Sequence, residues 1–258
     1  MKRVLLTGKN GTVADVMQKQ LADTYDLSGL SIARMDDVIS EAGAMTWKDL
    51  REAYRNRAME QLTAAFKGKD AVVHLGWNTE DENYQGGLDP LNILVVDCVY
   101  QAAIAANVPR IYMASSVHSY DFTDVMRVDG EPIQPFPDTR ENAFGVGTTS
   151  LYGVSKRWME TAGQFYAKRL QEGQKILCVR LGAVGREKRP HRSGSRLWNS
   201  HEDLAGLLTA FIECDDAPNF WIAFGISDNR GGDYPRPLFD PVNPYGFKPA
   251  SNACTDVA

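Results

Sequence analysis

Val4-Leu5-Leu6-Thr7-Gly8-Lys9-Asn10-Gly11-Thr12-Val13-Ala14 decides how this chain folds. A short apolar run that stops at a glycine reads as a buried strand, and residues 12 to 22 read as the helix that leaves it. Glycines at positions 8 and 11 let a pyrophosphate approach backbone N–H groups that a Cβ would screen. Ala14 is the third small residue, where the helix packs tightly on the strand. The spacing is Gly8-x-x-Gly11-x-x-Ala14 rather than Gly-x-Gly-x-x-Gly, and a plain strand–turn–helix connection would look the same locally. Standing at the head of an alternating α/β chain, the turn is better read as a dinucleotide site lined by Gly8, Asn10, Gly11, Thr12 and Val13.

The alternation continues outward from that turn. A second strand falls within Thr24 to Ala33, and the residue at its end would meet the adenosine ribose. An acidic side chain there suits a free 2′-hydroxyl, whereas a small polar residue with a nearby arginine suits a 2′-phosphate. The sequence offers Ser31 and Arg34, with Lys9 as a second cation, so NADP is favoured and NAD is possible. Asp49-Leu50 is expected to close a third strand and to place a carboxylate near adenine, and Tyr54 to Phe66 is expected to be an amphipathic helix. Asp70 to Gly76 is a buried strand whose carboxyl end carries Leu75 and Gly76, with Trp77, Asn78 and Thr79 lining a pocket beyond it. His74, inside that apolar run, reads as a core residue. Asn92 to Ala106 is a helix apolar on more than one face, for which a partner subunit could supply the extra cover. Arg110 to Ser116 and Lys175 to Gly182 are further buried strands, and Asn219 to Ser227 is a last one. The whole reads as α/β, a Rossmann-type doubly wound parallel sheet over residues 1–182 with a small C-terminal substrate-binding annex over 183–258, forming one compact unit.

Chemistry enters through Leu151-Tyr152-Gly153-Val154-Ser155-Lys156 at the start of a helix expected over 151–171. A tyrosine and a lysine four residues apart share a helix face, and an adjacent ammonium favours the phenolate. Ser115 and Ser116 at the end of a buried strand can hydrogen-bond a reacting oxygen while the tyrosine exchanges its proton. Arg186 to Arg196 forms a compact basic loop in an acidic chain, either a solvated charge run or an anion-binding arm over the pocket. Ser200-His201-Glu202-Asp203 is a capping box, which makes His201 structural. The proline-rich segment from Asp233 to Pro249 has the composition of a surface wrap, and residues 250–258 read as disordered.

Composition narrows the classes. A net charge of −5 gives no global reason for nucleic acid or an anionic membrane surface as partner. Cys98, Cys178, Cys214 and Cys254 lack metal-type spacing, which points to reduced thiols, no metal and a cytoplasmic setting. No apolar run approaches the ~20 residues of a membrane span, and no signal peptide is expected.

With the glycine turn, Ala114-Ser115-Ser116 and Tyr152-Gly153-Val154-Ser155-Lys156 in this order, the chain resembles the extended short-chain dehydrogenase/reductases, and within them the uronate dehydrogenases. His74-Leu75-Gly76, Ser116-x-His118, Arg180-x-Gly182 and Trp198-x-Ser200-His201-x-Asp203 carry the closer likeness. The resemblance implies an NAD(P)-dependent oxidoreductase that oxidises C1 of an acidic sugar to a lactone. It implies Tyr152 as general base, Lys156 as the group that lowers its pKa and binds ribose, and Ser116 as the hydroxyl partner. Thr79, Ser115, His118 and an arginine of the basic loop, Arg192 or Arg196, would line the substrate pocket, and a homodimer or higher homo-oligomer is expected. The chain departs from the family at Val117, where the family has asparagine, and at Ala183, where it has serine. Ser31 stands where the cofactor aspartate is usual. These changes, with the extra cations, leave a sulfonated or phosphorylated sugar open beside a uronate. Epimerisation or carbonyl reduction by the same groups, and an NADP-sensing protein without turnover, are the alternatives.

Overall fold

The computed structural model describes residues 1–32, 34, 38, 46–79, 88–120, 132, 147–148, 150–190, 195–231 and 235–255. Within them, six parallel strands form one sheet: β1 (Arg3–Thr7), β2 (Asp26–Leu30), β3 (Ala71–His74), β4 (Arg110–Ser116), β5 (Lys175–Leu181) and β6 (Phe220–Gly225), in the order β2-β1-β3-β4-β5-β6. Alternation along each strand divides the core in two. Val4 and Leu6 of β1, Tyr112 of β4 and Val179 of β5 face α1 (Thr12–Leu21) and α5 (His201–Glu213). Leu5, Ile111 and Cys178 face α2 (Trp47–Phe66), α3 (Pro90–Ala105) and α4 (Leu151–Ala167). This is the doubly wound arrangement expected from the sequence. Among the described residues, no helix is long and apolar enough to cross a membrane.

The sheet order places a topological switch between β1 and β3. The chain leaves β1 for one edge and returns to the other side of it, opening a crevice at the strands' carboxyl ends.

Several expectations are corrected. Asp49 and Leu50 close no strand; they lie in the first turn of α2. Thr46 caps that helix by accepting from the Asp49 backbone N–H at 3.2 Å, so Asp49 belongs to a helix terminus and not to a strand end. Helix α3 is covered by its own chain along part of its surface, while Leu91, Ile93, Leu94 and Ile104 are half-buried. Arg55 of α2 bonds Gln101 at 2.7 Å, while Tyr100 stacks on Tyr166 of α4 with ring centroids 5.2 Å apart. The region after residue 182 returns α5 and β6 to the main sheet. Ser200 does cap α5, and His201 is structural, its Nε2 bonded to the Gly185 carbonyl at 2.9 Å. The tail is anchored rather than loose as far as residue 255. Asp203 accepts from the backbone N–H groups of Ala250 and Ser251, Ala253 is fully buried, and Leu238 and Phe239 join a third core cluster with Phe224 and Ile226.

Candidate active site

The glycine turn is built for close approach. Gly8 has φ +66°, and a Cβ there would fall 2.7 Å from Gly76 Cα and N. The ends of β1 and β3 therefore touch backbone to backbone at the switch point, and only glycine permits it. Thr7 holds the second half of the contact: its Oγ1 accepts from the N–H groups of Leu75 and Gly76 at 3.2 and 3.3 Å. Its own proton then points to His74 Nδ1, 2.8 Å away. Burial pushes the His74 imidazole down to about 3, with Lys156 adding to the effect, so it is a neutral core residue as expected. Gly11 is the N-cap of α1 and makes no side-chain cap bond. First-turn N–H groups at such a terminus suit an anionic ligand. The crevice fits a pyrophosphate because its cradle is one that a Cβ would fill. At the far edge Lys9 packs over Gly29 of β2. Ser31 and Arg34, both exposed, follow β2 directly.

Two strands away, β4 ends in Ser115 and Ser116, which face opposite ways. Ser116 Oγ accepts from the His118 N–H at 3.2 Å and starts a 3-10 turn, Val117–Ser119, leaving its own hydroxyl proton to donate outward. Ser115, expected in the pocket, points into the core instead and donates to Glu160 Oε1 at 2.6 Å.

Helix α4 delivers the tyrosine and the lysine against this end of β4. Ser150 caps it by accepting from Gly153 N–H. Gly153 is obligatory for packing: a Cβ there would lie 2.1 Å from the His118 carbonyl oxygen, so the first turn of α4 rests directly on the backbone after Ser116. Tyr152 stands edge-on to His118, centroids 6.3 Å apart. Burial lowers the pKa of His118. Lys156 is buried; its Nζ donates to the Ala114 carbonyl at 2.6 Å and lies 5.6 Å from the centre of the Tyr152 ring. Burial pushes this lysine down to about 7, while Glu160 pulls the other way. The Trp77 ring, centred 3.8 Å from Nζ, also favours the ammonium.

Thr79, an expected pocket residue, is exposed at the end of a segment that Asn92 fixes by accepting from the Asn78 N–H at 2.9 Å. Arg196 is buried, with Nη2 donating to the Arg236 carbonyl at 3.4 Å. Arg192 lies outside the described residues, and Lys188 is paired with Glu202 at 2.9 Å. Among the described residues no group of His, Cys, Asp and Glu could hold a metal. The site thus gathers Ser116, His118, Tyr152 and Lys156 at the carboxyl ends of the strands, on the same side of the sheet's edge as the Gly8–Gly76 contact. It excludes Ser115 and Asp49. Sequence reasoning missed Thr7, Asn92 and Glu160. Glu160 was signalled by its place one turn after Lys156, and by an arginine, Arg180, in an otherwise apolar strand that needs a buried partner.

The model of the NAD dependent epimerase/dehydratase family matches residues 4–200. The chain is 29% identical to a uronate dehydrogenase of Agrobacterium fabrum, over 98% of this chain and 86% of that one. It is 27% identical to an L-arabinose 1-dehydrogenase (NAD(P)(+)) of Haloferax volcanii, over the full length of both. A solved structure of a mutated uronate dehydrogenase superposes with a TM-score of 0.70 at 21% identity, covering 98% of this chain and 82% of that one, which shows a shared fold.

Proposed function

The chain belongs to the NAD dependent epimerase/dehydratase family, and from that premise we propose that it oxidises the anomeric C1 hydroxyl of an acidic hexose to the lactone. It is an oxidoreductase acting on CH–OH groups with a nicotinamide cofactor. The substrate class is a uronate or a phosphorylated or sulfonated hexose, and NADP is the favoured cofactor. One observation carries the reading: Tyr152, Lys156 and the Ser116–His118 turn meet where Gly153 brings helix and turn into contact.

When bound, the cofactor supplies the hydride acceptor. The chain's own residues do the rest. Gly8, Gly11 and Gly76 admit the pyrophosphate, while Ser31, Arg34 and Lys9 would meet the adenosine ribose phosphate. Tyr152 accepts the hydroxyl proton as general base. Lys156 is the cation beside it, and the Ser116 hydroxyl, with its proton free to donate, holds the same substrate oxygen. An arginine of the basic loop from Arg186 to Arg196, Arg192 or Arg196, would meet the anionic group of the substrate, and the run of cations in that loop supports an anionic substrate.

A fluorescence screen for reduced cofactor, run with NAD and with NADP against neutral, carboxylated, phosphorylated and sulfonated hexoses, tests the reading. The expected result is one reduced cofactor per lactone formed, from an anionic hexose. An isomer formed without net reduction would replace oxidation by epimerisation, and equal efficiency on neutral hexoses would remove the anionic requirement.

A further inference from the structure

Beneath the reactive groups lies a buried charge pair that the proposed chemistry has not used. Glu160 stands one turn after Lys156 on α4, and its side chain is 4% exposed; that of Arg180, on β5, is 6% exposed. The carboxylate is heavily engaged. Oε1 accepts from Ser115 Oγ at 2.6 Å, Ser119 Oγ at 3.0 Å and Arg180 Nε at 2.9 Å, and Oε2 accepts from Arg180 Nη2 at 2.7 Å. Ser115 precedes Ser116, and Ser119 ends the turn that holds His118. One carboxylate therefore joins the helix bearing Tyr152 and Lys156 to both flanks of the Ser116–His118 segment and to the end of β5.

We propose that Glu160, held by Arg180, is a positioning residue for the Tyr152, Lys156 and Ser116 set: it fixes the helix against strand and turn, and it is the anion that Lys156 faces. This rests on the dehydrogenase reading. The groups around Lys156 Nζ are Tyr152 and Glu160 on its own helix, His74 and Trp77 at the end of β3, and the Ala114 carbonyl on β4. Among the described residues, Glu160 is the carboxylate that acts on Lys156. Its charge favours the ammonium, whereas burial favours the neutral amine. Arg180 pairs with the carboxylate through two bonds, and the two serine hydroxyls complete its shell. A bond from each of those serines converts the position of the helix into the position of the turn.

The test is Glu160→Gln, which keeps the shape and removes the charge. Expected are a kcat at least about tenfold lower, with KM for sugar and cofactor within about threefold, because misplacement of reacting groups acts on the chemical step. The alkaline limb of the pH profile, where Lys156 loses its proton, moves to lower pH. Glu160→Gln takes the carboxylate partner away from the buried Arg180 guanidinium, so Glu160→Gln/Arg180→Met is the folded alternative, and Ser119→Ala is the mild one, each expected to lower kcat without raising KM. Titration of Lys156 by NMR in ligand-free, lysine-labelled protein reads the electrostatic part with no substrate present. It separates failure of this inference from failure of the sugar reading. Folded variants with unchanged kcat, or a Lys156 titration unmoved in Glu160→Gln, would overturn the assignment.

Discussion

Gly153→Ala puts the helix-to-turn contact to the test, because two physical effects with opposite signs meet at that residue. Inside a helix, alanine is preferred over glycine by ~1 kcal/mol, so propensity alone makes the variant more stable. The added Cβ, however, would fall 2.1 Å from the His118 carbonyl oxygen, 2.9 Å from its carbon and 3.1 Å from Thr148 Cβ. The first two contacts are with backbone, which has no rotamer to change. Restoring an ordinary non-bonded separation requires α4 and the turn to part by about 1 Å. Overpacking of this kind costs about 1–3 kcal/mol, which exceeds the propensity gain or cancels it. The functional loss is larger than the loss of stability, since a displacement of about 1 Å between reacting groups lowers turnover by about 100-fold. The assay is kcat/KM from the appearance of reduced cofactor, beside denaturant unfolding and a cofactor titration. Val154→Ala, one residue along and 39% exposed, serves as the control. The expected pattern is a loss of about two decades in kcat/KM for Gly153→Ala, cofactor binding kept within a few-fold, and a near-wild-type control. A variant that is more stable by ~1 kcal/mol and turns over normally would show that the helix does not rest on the turn.

Two further perturbations follow from buried polar groups. Asn199 is 1% exposed, and neither atom of its amide has a partner among the described residues. Asn199→Leu, which has the same number and branching of side-chain heavy atoms, should raise stability by about 1–3 kcal/mol, the cost of leaving such groups unsatisfied; a loss of stability on unfolding in urea would contradict this. His74 is pushed down to about 3 from an ordinary 6.5. Between those values the unfolded chain binds a proton that the folded chain refuses, so stability falls as pH falls from 6.5 toward 3, by up to about 1.4 kcal/mol per pH unit. Replacing His74 with Gln should flatten that slope in urea melts taken across the range, and parallel curves for the two proteins would refute it.

How much was legible depended on how local each signal is. The first strand, its glycine turn and α1 could be read outright, because apolar run, glycine spacing and helix start lie within eleven residues. The same holds for the order of Ser116, Tyr152 and Lys156. Ser115 was misplaced because two adjacent serines were read by type and not by strand alternation, which sends neighbouring side chains to opposite faces. Asp49 was misplaced because Thr46 and Asp49 form the start of a helix in a polar stretch with no apolar period to announce it. The anchoring of the tail was out of reach. It depends on Asp203 and Asn229, whose partners lie more than twenty residues away and leave no trace in local composition.

The account stands on proton transfer at a single phenolic oxygen, and Tyr152→Phe isolates it. Turnover of the best sugar found in the screen, measured with saturating cofactor, should fall to background while the cofactor dissociation constant stays within about threefold, since the ring and the packing of α4 are kept and only the proton acceptor is lost. Retention of most of the wild-type kcat by Tyr152→Phe would contradict the account at its centre.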